Sequence, residues 1–289
     1  MNESSLYVLH QRLDLESPVL VMAPDGWIDA GIGGAAALGT ILSSVDTEVV
    51  ATFHTDRLLD HRARRPIAKI VDGVYEDLSW PEIELRAGHD VNGRALLALV
   101  GPEPDHEWRA FADAVFELAG IFGVRLLVGL GAFPAPVPHT RPGKLAATAT
   151  DPELANQVGV VNGTLEVPAG VLVAIERRFA EAGIPAIGLW ARVPHYAAAM
   201  PYPEASALLL EGLAEVSDIA VDAGPLREAA EATRQRLDEL TANSVEHMAL
   251  VRQLEARFDA EDSPLADEGS LPSGDELAAE LERFLREET

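Results

Sequence analysis

The stretch from Pro18 to Leu42 constrains this chain more than any other. It passes from an apolar strand pattern, PVLVMAP, through a glycine-bearing turn, DGWIDAGIGG, into a small-residue helix pattern, AAALGTIL. A helix so poor in bulk can lie close against the sheet that its strand enters, or against a neighbouring subunit. The turn places backbone N–H groups at a helix start, where an anion, a ligand or another backbone can approach. It is the first candidate site.

The pattern repeats. Val19–Ala23, Glu48–His54, Ala95–Gly101, Arg125–Gly129 and Ala186–Ala191 are short Val/Ile/Leu-rich runs bounded by Gly, Pro or Asp, and they read as buried strands. Helical patterns lie between them at Gly33–Ser43, Asp105–Phe122, Ala169–Ala182 and Tyr202–Val216. Asp105 is the expected N-cap of the second, with Trp108, Phe111, Val115, Leu118 and Phe122 on one face. Pro168 is expected to open the third helix and Gly183 to close it. Such alternation predicts a mostly parallel sheet covered by helices on both faces. It fails between Thr55 and Glu84, an insertion carrying Arg57, Arg62, Arg64 and Arg65. Glu82–Arg86 after it reads as an extra strand that makes the sheet mixed.

From Pro225 the chain turns charged and amphipathic. Leu237, Leu240, Met248, Val251, Leu254 and Phe258 follow three/four spacing, with a break at Thr241–Ser244 where Asn243 or Ser244 caps the next helix. A helical hairpin is expected. Packing on its own domain is the first expectation for its apolar seam, and a coiled-coil-like contact with another subunit or partner the second. Residues beyond Asp259 are acidic and rich in Ser, Pro and Gly, the composition of a disordered tail, with a short helix possible at LAAELERFLREET. The expected division is a sandwich domain over 1–222, a hairpin appendage over 223–258 and an acidic tail over 259–289.

The chain has 289 residues and a formal net charge of −25, from 47 acidic against 22 basic residues. That balance repels phosphate backbones and anionic membrane surfaces, so neither nucleic acid nor membrane is an expected partner. Without cysteine there is no disulfide, thiol nucleophile or thiolate metal site. No run of about 18 apolar residues offers a membrane span, and MNESSLYVLHQRL lacks the layout of a signal peptide. A cytoplasmic protein is expected.

Motifs with specific chemistry are few. Gly31, Gly33 and Ala36 meet a G-x-G-x-x-A spacing, with Asp56 at the next strand end, but DGWIDA separates the strand from Gly31 where a dinucleotide turn would follow at once. No cofactor is expected. Asp25 and Asp29 flank the turn and suit either turn capping or acid–base work. His54, Asp56, Asp60 and His61 have metal-like composition without a recognisable ligand spacing, and no metal site is expected. The arginines beside them suit ion pairs or an anionic partner. VGLGAFPAPVPHTRPGK presents His139, Thr140, Arg141 and Lys144 beyond a strand end, where open α/β sheets bind ligands. ARVPHYAAAMPYPEA does the same with His195, Tyr196 and Tyr202. There is no G-x-S-x-G elbow, H-E-x-x-H helix or G-x-x-x-x-G-K-[ST] loop.

Taken in order, PDGWIDAGIGGAAA, GPEPDHEWRAFADAVFELA, LLVGLGAFPAPVPHTRP, VNGTLEVPAGV and PHYAAAMPYPEA resemble the proteasome assembly chaperone family of the second type, in its actinobacterial and archaeal branch. The resemblance runs from about Leu6 to Phe258, and the helical pair ending VRQLEARF is similar to the appendage of actinobacterial members. It implies a three-layer α/β/α sandwich with the mixed sheet of the nucleoside phosphorylase and hydrolase class. It implies a protein partner, with proteasome subunits as the specific expectation. It carries over no catalytic residue. Arg286-Glu287-Glu288-Thr289 lacks the hydrophobic–Tyr–any-residue ending by which some archaeal relatives dock, so docking through such an ending is not expected.

The resulting expectation is a non-catalytic interaction factor and homo-oligomer, with three copies as the working number. Its contacts would involve Asp25, Trp27, Asp29, Gly31, Gly33, Gly34, Arg57, His139, Arg141, His195 and Tyr196. The alternative is a hydrolase or phosphorylase acting on a small anionic or nucleoside-like substrate. It would use the N–H groups near Gly31–Gly34, Arg57 or Arg141 as anion clamps, and Asp29 or His139 as acid–base groups. A deep pocket with these side chains converging would favour the enzyme; a shallow or filled one would favour the interaction factor.

Overall fold

The computed structural model describes residues 6–26, 28–160 and 164–261. Its centre is an eight-stranded mixed sheet. The strands are β1 (Tyr7–Leu9), β2 (Val19–Met22), β3 (Thr47–Phe53), β6 (Glu84–His89), β7 (Ala95–Val100), β8 (Leu126–Ala135), β9 (Leu145–Ala149) and β10 (Ala186–Pro194). They lie in the order β1-β3-β6-β7-β2-β8-β10-β9. The middle four, β7-β2-β8-β10, are parallel. Antiparallel β6, β3 and β1 extend one side and antiparallel β9 the other. The five apolar runs are thus strands, and the run after the insertion makes the sheet mixed.

Alternation along the central strands explains the layers. Leu20 and Met22 of β2 point into one core with Leu97 and Leu99 of β7, while Val19 and Val21 point into the other with Leu96 and Ala98. The first core is closed by α3 (Trp108–Phe122) and α5 (Val171–Glu181), through Phe111, Val115, Leu118, Ile175 and Phe179. The second is closed by α1 (Gly33–Ser44) and α6 (Pro203–Ser217), through Ala37, Ile41, Ala205, Leu209 and Leu213. Each fully buried aliphatic or aromatic side chain contributes about 1.5–3 kcal/mol. These two cores therefore fix the three-layer sandwich.

Two boundary expectations fail. Asp105 does not cap α3: its carboxylate accepts the Asp60 N–H at 2.8 Å and pairs with Arg64. The residue before α3 is Glu107, in the left-handed region at φ 55°. Pro168 does not open α5, which starts at Val171 behind Gly170, where the first N–H goes to Glu103 Oε1 at 2.6 Å. Gly183, at φ 73°, does close that helix.

The insertion holds a short α2 (Thr55–Leu58) and a separate hairpin, β4 (Ile67–Val71) with β5 (Val74–Ser79), turning at Asp72–Gly73. Every residue of both strands is exposed. A seven-residue α4 (Pro152–Val158) follows β9. The expected C-terminal hairpin forms from α7 (Gly224–Ala242) and α8 (Val245–Glu261), with Ser244 Oγ accepting the His247 N–H at 3.3 Å as cap. It packs on its own chain. Leu237 enters the second core, and Arg227 pairs with Glu204 and Glu211 of α6. Residues 259–261, assigned to the tail by sequence, are helical; the remainder of that segment lies outside the described residues.

Candidate functional site

The parallel strands β2, β7, β8 and β10 end on one rim, and β2, β8 and β10 continue into the loops that the sequence marks as candidate sites. After β2 the chain bridges to the loop after β7, Asp25 beside Pro102, and to β8, Asp29 beside Ala132. A 3-10 turn over Ala30–Ile32 then leads into α1. Gly31 takes φ 64°, its N–H donates to Ala198 O at 2.7 Å, and its carbonyl accepts the Tyr202 N–H at 2.9 Å. A Cβ at Gly31 would stand 2.6 Å from that of Tyr202. One at Gly33 would stand 2.9 Å from that of Ala132, and one at Gly34 would stand 2.6 Å from Leu130 O. The glycines serve close approach: they let the start of α1 sit down on β8 and on the β10–α6 connection.

The N–H groups at the start of α1 are not free. Asp29 supplies the anion itself, its carboxylate accepting from Gly34 at 2.7 Å and Ala35 at 2.9 Å. Burial raises the Asp29 pKa, the Ala35 and Gly34 hydrogen bonds partly oppose this, and Asp25 adds to the rise. An external anion would have to displace this carboxylate, which corrects the expectation of an open anion site at the turn. Asp25 is exposed. Trp27 lies outside the described residues. Ile28 and Ile32 are exposed on the same turn, 39% and 52%, and Ile32 occupies the left-handed region at φ 51°. Sequence reading passed over both isoleucines. Two isoleucines among the glycines of DGWIDAGIGG are the available signal.

His139 and Tyr196 do meet. The Tyr196 hydroxyl lies 2.9 Å from the His139 backbone N and 2.7 Å from Nδ1. It accepts from the first, so its own hydrogen goes to Nδ1, and the imidazole carries its proton on Nε2, facing Asp238 Oδ1 at 3.3 Å. Asp238 is held in turn by Arg234 at 2.8 Å. Burial lowers the His139 pKa, with Asp238 opposing, and burial pushes Tyr196 up to about 12. Both groups are therefore neutral at pH 7. The His139 side chain is 1% exposed, so this chain of bonds ties α7 to the loop and presents no reactive atom to solvent. Arg141 does the same for α8, bonding Asp259 through Nε and Nη2 at 2.8 Å each and Glu255 at 3.1 Å. Thr140 adds a bond to Glu255 at 2.6 Å, and Lys144 lies over the Phe258 ring. Three acidic partners, Asp238, Glu255 and Asp259, were not picked out from sequence, although acids on the hairpin facing a basic loop are what such a clamp needs.

The remaining candidates stand apart or aside. His195 stacks edge-on to Tyr196 with ring centroids 5.3 Å apart. Arg57 is not with the others: it pairs with Glu107, Nη2 to Oε2 at 2.5 Å, at the start of α3. Beneath the rim, the cavity between Met22, Ile83, Leu99, Pro104 and Val171 is about 10 Å³, hardly room for one water. A larger open groove of about 360 Å³ lies by Phe53, His54, Thr55, Asp56 and Trp80, away from the glycine turn. Asp56 there bonds His61 at 2.9 Å, and among the described residues no three metal-ligating side chains gather. The rim thus offers side chains already bonded to one another, with an apolar turn outside them.

The PAC2 family model matches residues 23–241, which includes every loop of this rim. The chain belongs to the PAC2 family. Two Mycobacterium tuberculosis structures are similar to it. One, solved as a protein of unknown function, is 34% identical, with a TM-score of 0.82 over 90% of this chain and 93% of its own. The other, described as a proteasome-assembly chaperone homologue, is 31% identical, with a TM-score of 0.75 over 81% of this chain and 99% of its own. An archaeal proteasome activator from Pyrococcus furiosus, 16% identical, shares the fold at a TM-score of 0.62 over 81% of this chain and 97% of its own. No curated protein sequence matches the chain. Membership of the PAC2 family accounts for the order of motifs along the sequence.

Proposed function

We propose that this PAC2 protein is a non-catalytic interaction factor of the proteasome-assembly-chaperone kind, acting in the cytoplasm on proteasome subunits. One observation carries the reading. The place where an open α/β sheet would hold a substrate is filled by the chain's own atoms, Asp29 at the helix start and the glycine-allowed contacts beside it. Facing outward there are Ile28 and Ile32, with Asp25 and Gly26 at the start of the same turn. The similarity to a proteasome-assembly chaperone homologue supports the choice of partner. No observation favours the hydrolase or phosphorylase. No helix among the described residues is long and apolar enough to cross a membrane.

The β4–β5 arm supports self-association. Ile67 and Tyr75 are 75% and 77% exposed, and Ile70, Val74, Leu78 and Trp80 are exposed beside them. A two-stranded hairpin is marginal alone in water, and exposed apolar strand edges invite pairing. A second copy, present wherever the first is, covers such an arm. Three copies remain the working number. The test is capture of the tagged full chain from native lysate, followed by identification of what co-purifies. Proteasome subunits at stable stoichiometry are expected; the absence of any stable protein partner would overturn the reading.

A further inference from the structure

Glu176 is a buried acid that nothing above uses. It sits on the inner face of α5 and is 8% exposed, and its Oε1 is buried without a hydrogen-bond partner. It lies over Gly188 of β10, where a Cβ would come within 2.8 Å of Oε1, 2.7 Å of Thr148 Oγ1 and 2.9 Å of Trp190 Nε1. The missing side chain at Gly188 is what makes room for the carboxyl. Trp190 donates to Thr148 Oγ1 at 3.1 Å, so the indole N–H beside the carboxyl is already engaged. A buried polar atom left unpartnered in a native fold calls for an explanation.

We propose that Glu176 is a proton-operated latch for α5: the neutral acid lets the helix lie on β8, β10 and β9, and ionisation loosens it. Among the described residues, no countercharge steadies a carboxylate at this place. From β9 and β10 the neighbours over Gly188 are Thr148, Gly188 and Trp190. On α5 itself, Arg177 pairs with Glu181, and Arg178 reaches across to Asp113 of α3. Burial alone pushes the Glu176 pKa up, to about 8. The folded value lies above the ordinary carboxylate value of about 4.3. The seating of α5 is therefore firmest below that ordinary value and weakens as pH rises to about 8, beyond which it changes no further. Because the Val171 N–H at the start of α5 is bonded to Glu103 on the β7 loop, loosening the helix reaches the strand-end rim.

Hydrogen exchange of the full chain, corrected for the intrinsic pH dependence, tests this at pH 5, 6.5, 8 and 9 against Glu176→Gln. In the wild type, protection across Val171–Glu181 is expected to fall by up to tenfold per pH unit between 5 and 8 and then to level off. In Glu176→Gln that fall is lost. A carbon-13 titration of the wild-type Glu176 carboxyl supplies an independent reading should the variant fold poorly. A carboxyl titrating near the ordinary value, or the same pH profile in wild type and Glu176→Gln, overturns the latch.

Discussion

Ile32 is a β-branched residue held at φ 51° and half exposed. The left-handed region costs an ordinary residue about 1–2 kcal/mol, and little burial offsets it here. Ile32→Asn, which tolerates that region, should raise stability by about 1 kcal/mol, read as a higher urea midpoint at unchanged slope. Two residues on, the space is closed instead of strained. Gly34→Ala would drive a Cβ to 2.6 Å from the backbone oxygen of Leu130 and should cost about 2 kcal/mol. His139 gives the pH dependence at this scale. Its lowered pKa means that the unfolded chain takes up the proton more readily. Its stability contribution is therefore complete above about 6.5 and is lost as pH falls through the lowered value. Chemical denaturation from pH 7.5 to 5 should show the wild type losing ground to His139→Gln. Of the residues flagged by sequence, Asp29, His139 and Tyr196 were legible because they follow strand ends. That Asp29 would fill the helix start was not, since the bond depends on a turn whose path only the close packing of Gly33 and Gly34 determines.

Among strands, the most legible are those with apolar faces on both sides. β2, β7, β8 and β10 are continuous Val/Leu/Ile/Ala runs because both of their faces are buried. β9, LAATA, is too poor in large apolar residues to stand out, and β1 has only three residues, none of them buried. The β4–β5 arm carried its signal in the Asp72–Gly73 pair, a favoured hairpin turn. It was read only as an interruption because, with every residue exposed, its strands show no inside and outside. The arm also yields a prediction. Ile70→Glu together with Tyr75→Glu should leave the sandwich folded, because neither side chain belongs to either core. By light scattering on a size-exclusion column, the wild type should run as an oligomer and the double variant as a smaller species. At the C-terminal hairpin, Arg141→Ala removes the bonds to Asp259 and Glu255. Faster hydrogen exchange in α8 than in α6 is expected there.

For the whole molecule, the net charge of −25 and the filled rim point the same way. Such a charge disfavours phosphate backbones, and the cavity beneath the rim is only about 10 Å³. The clamp of the α7–α8 hairpin onto the 139–141 loop occupies His139 and Arg141, one of the two acid–base groups and one of the two anion clamps that a catalytic reading named. The fold class was legible because strand and helix alternate over most of the chain. Packing of the hairpin on its own domain is the first expectation from sequence, but the partners it uses there, such as Glu204 and Glu211, are not legible, because an apolar seam flanked by charge is the same whether it meets its own domain or another copy. The most direct test is the affinity of purified proteasome subunits for the immobilised chain, with Ile28→Glu/Ile32→Glu alongside. Saturable binding by the wild type, weakened at least tenfold in a double variant of unchanged folding, is the predicted result. No binding by the wild type, or equal binding by both, would contradict the account.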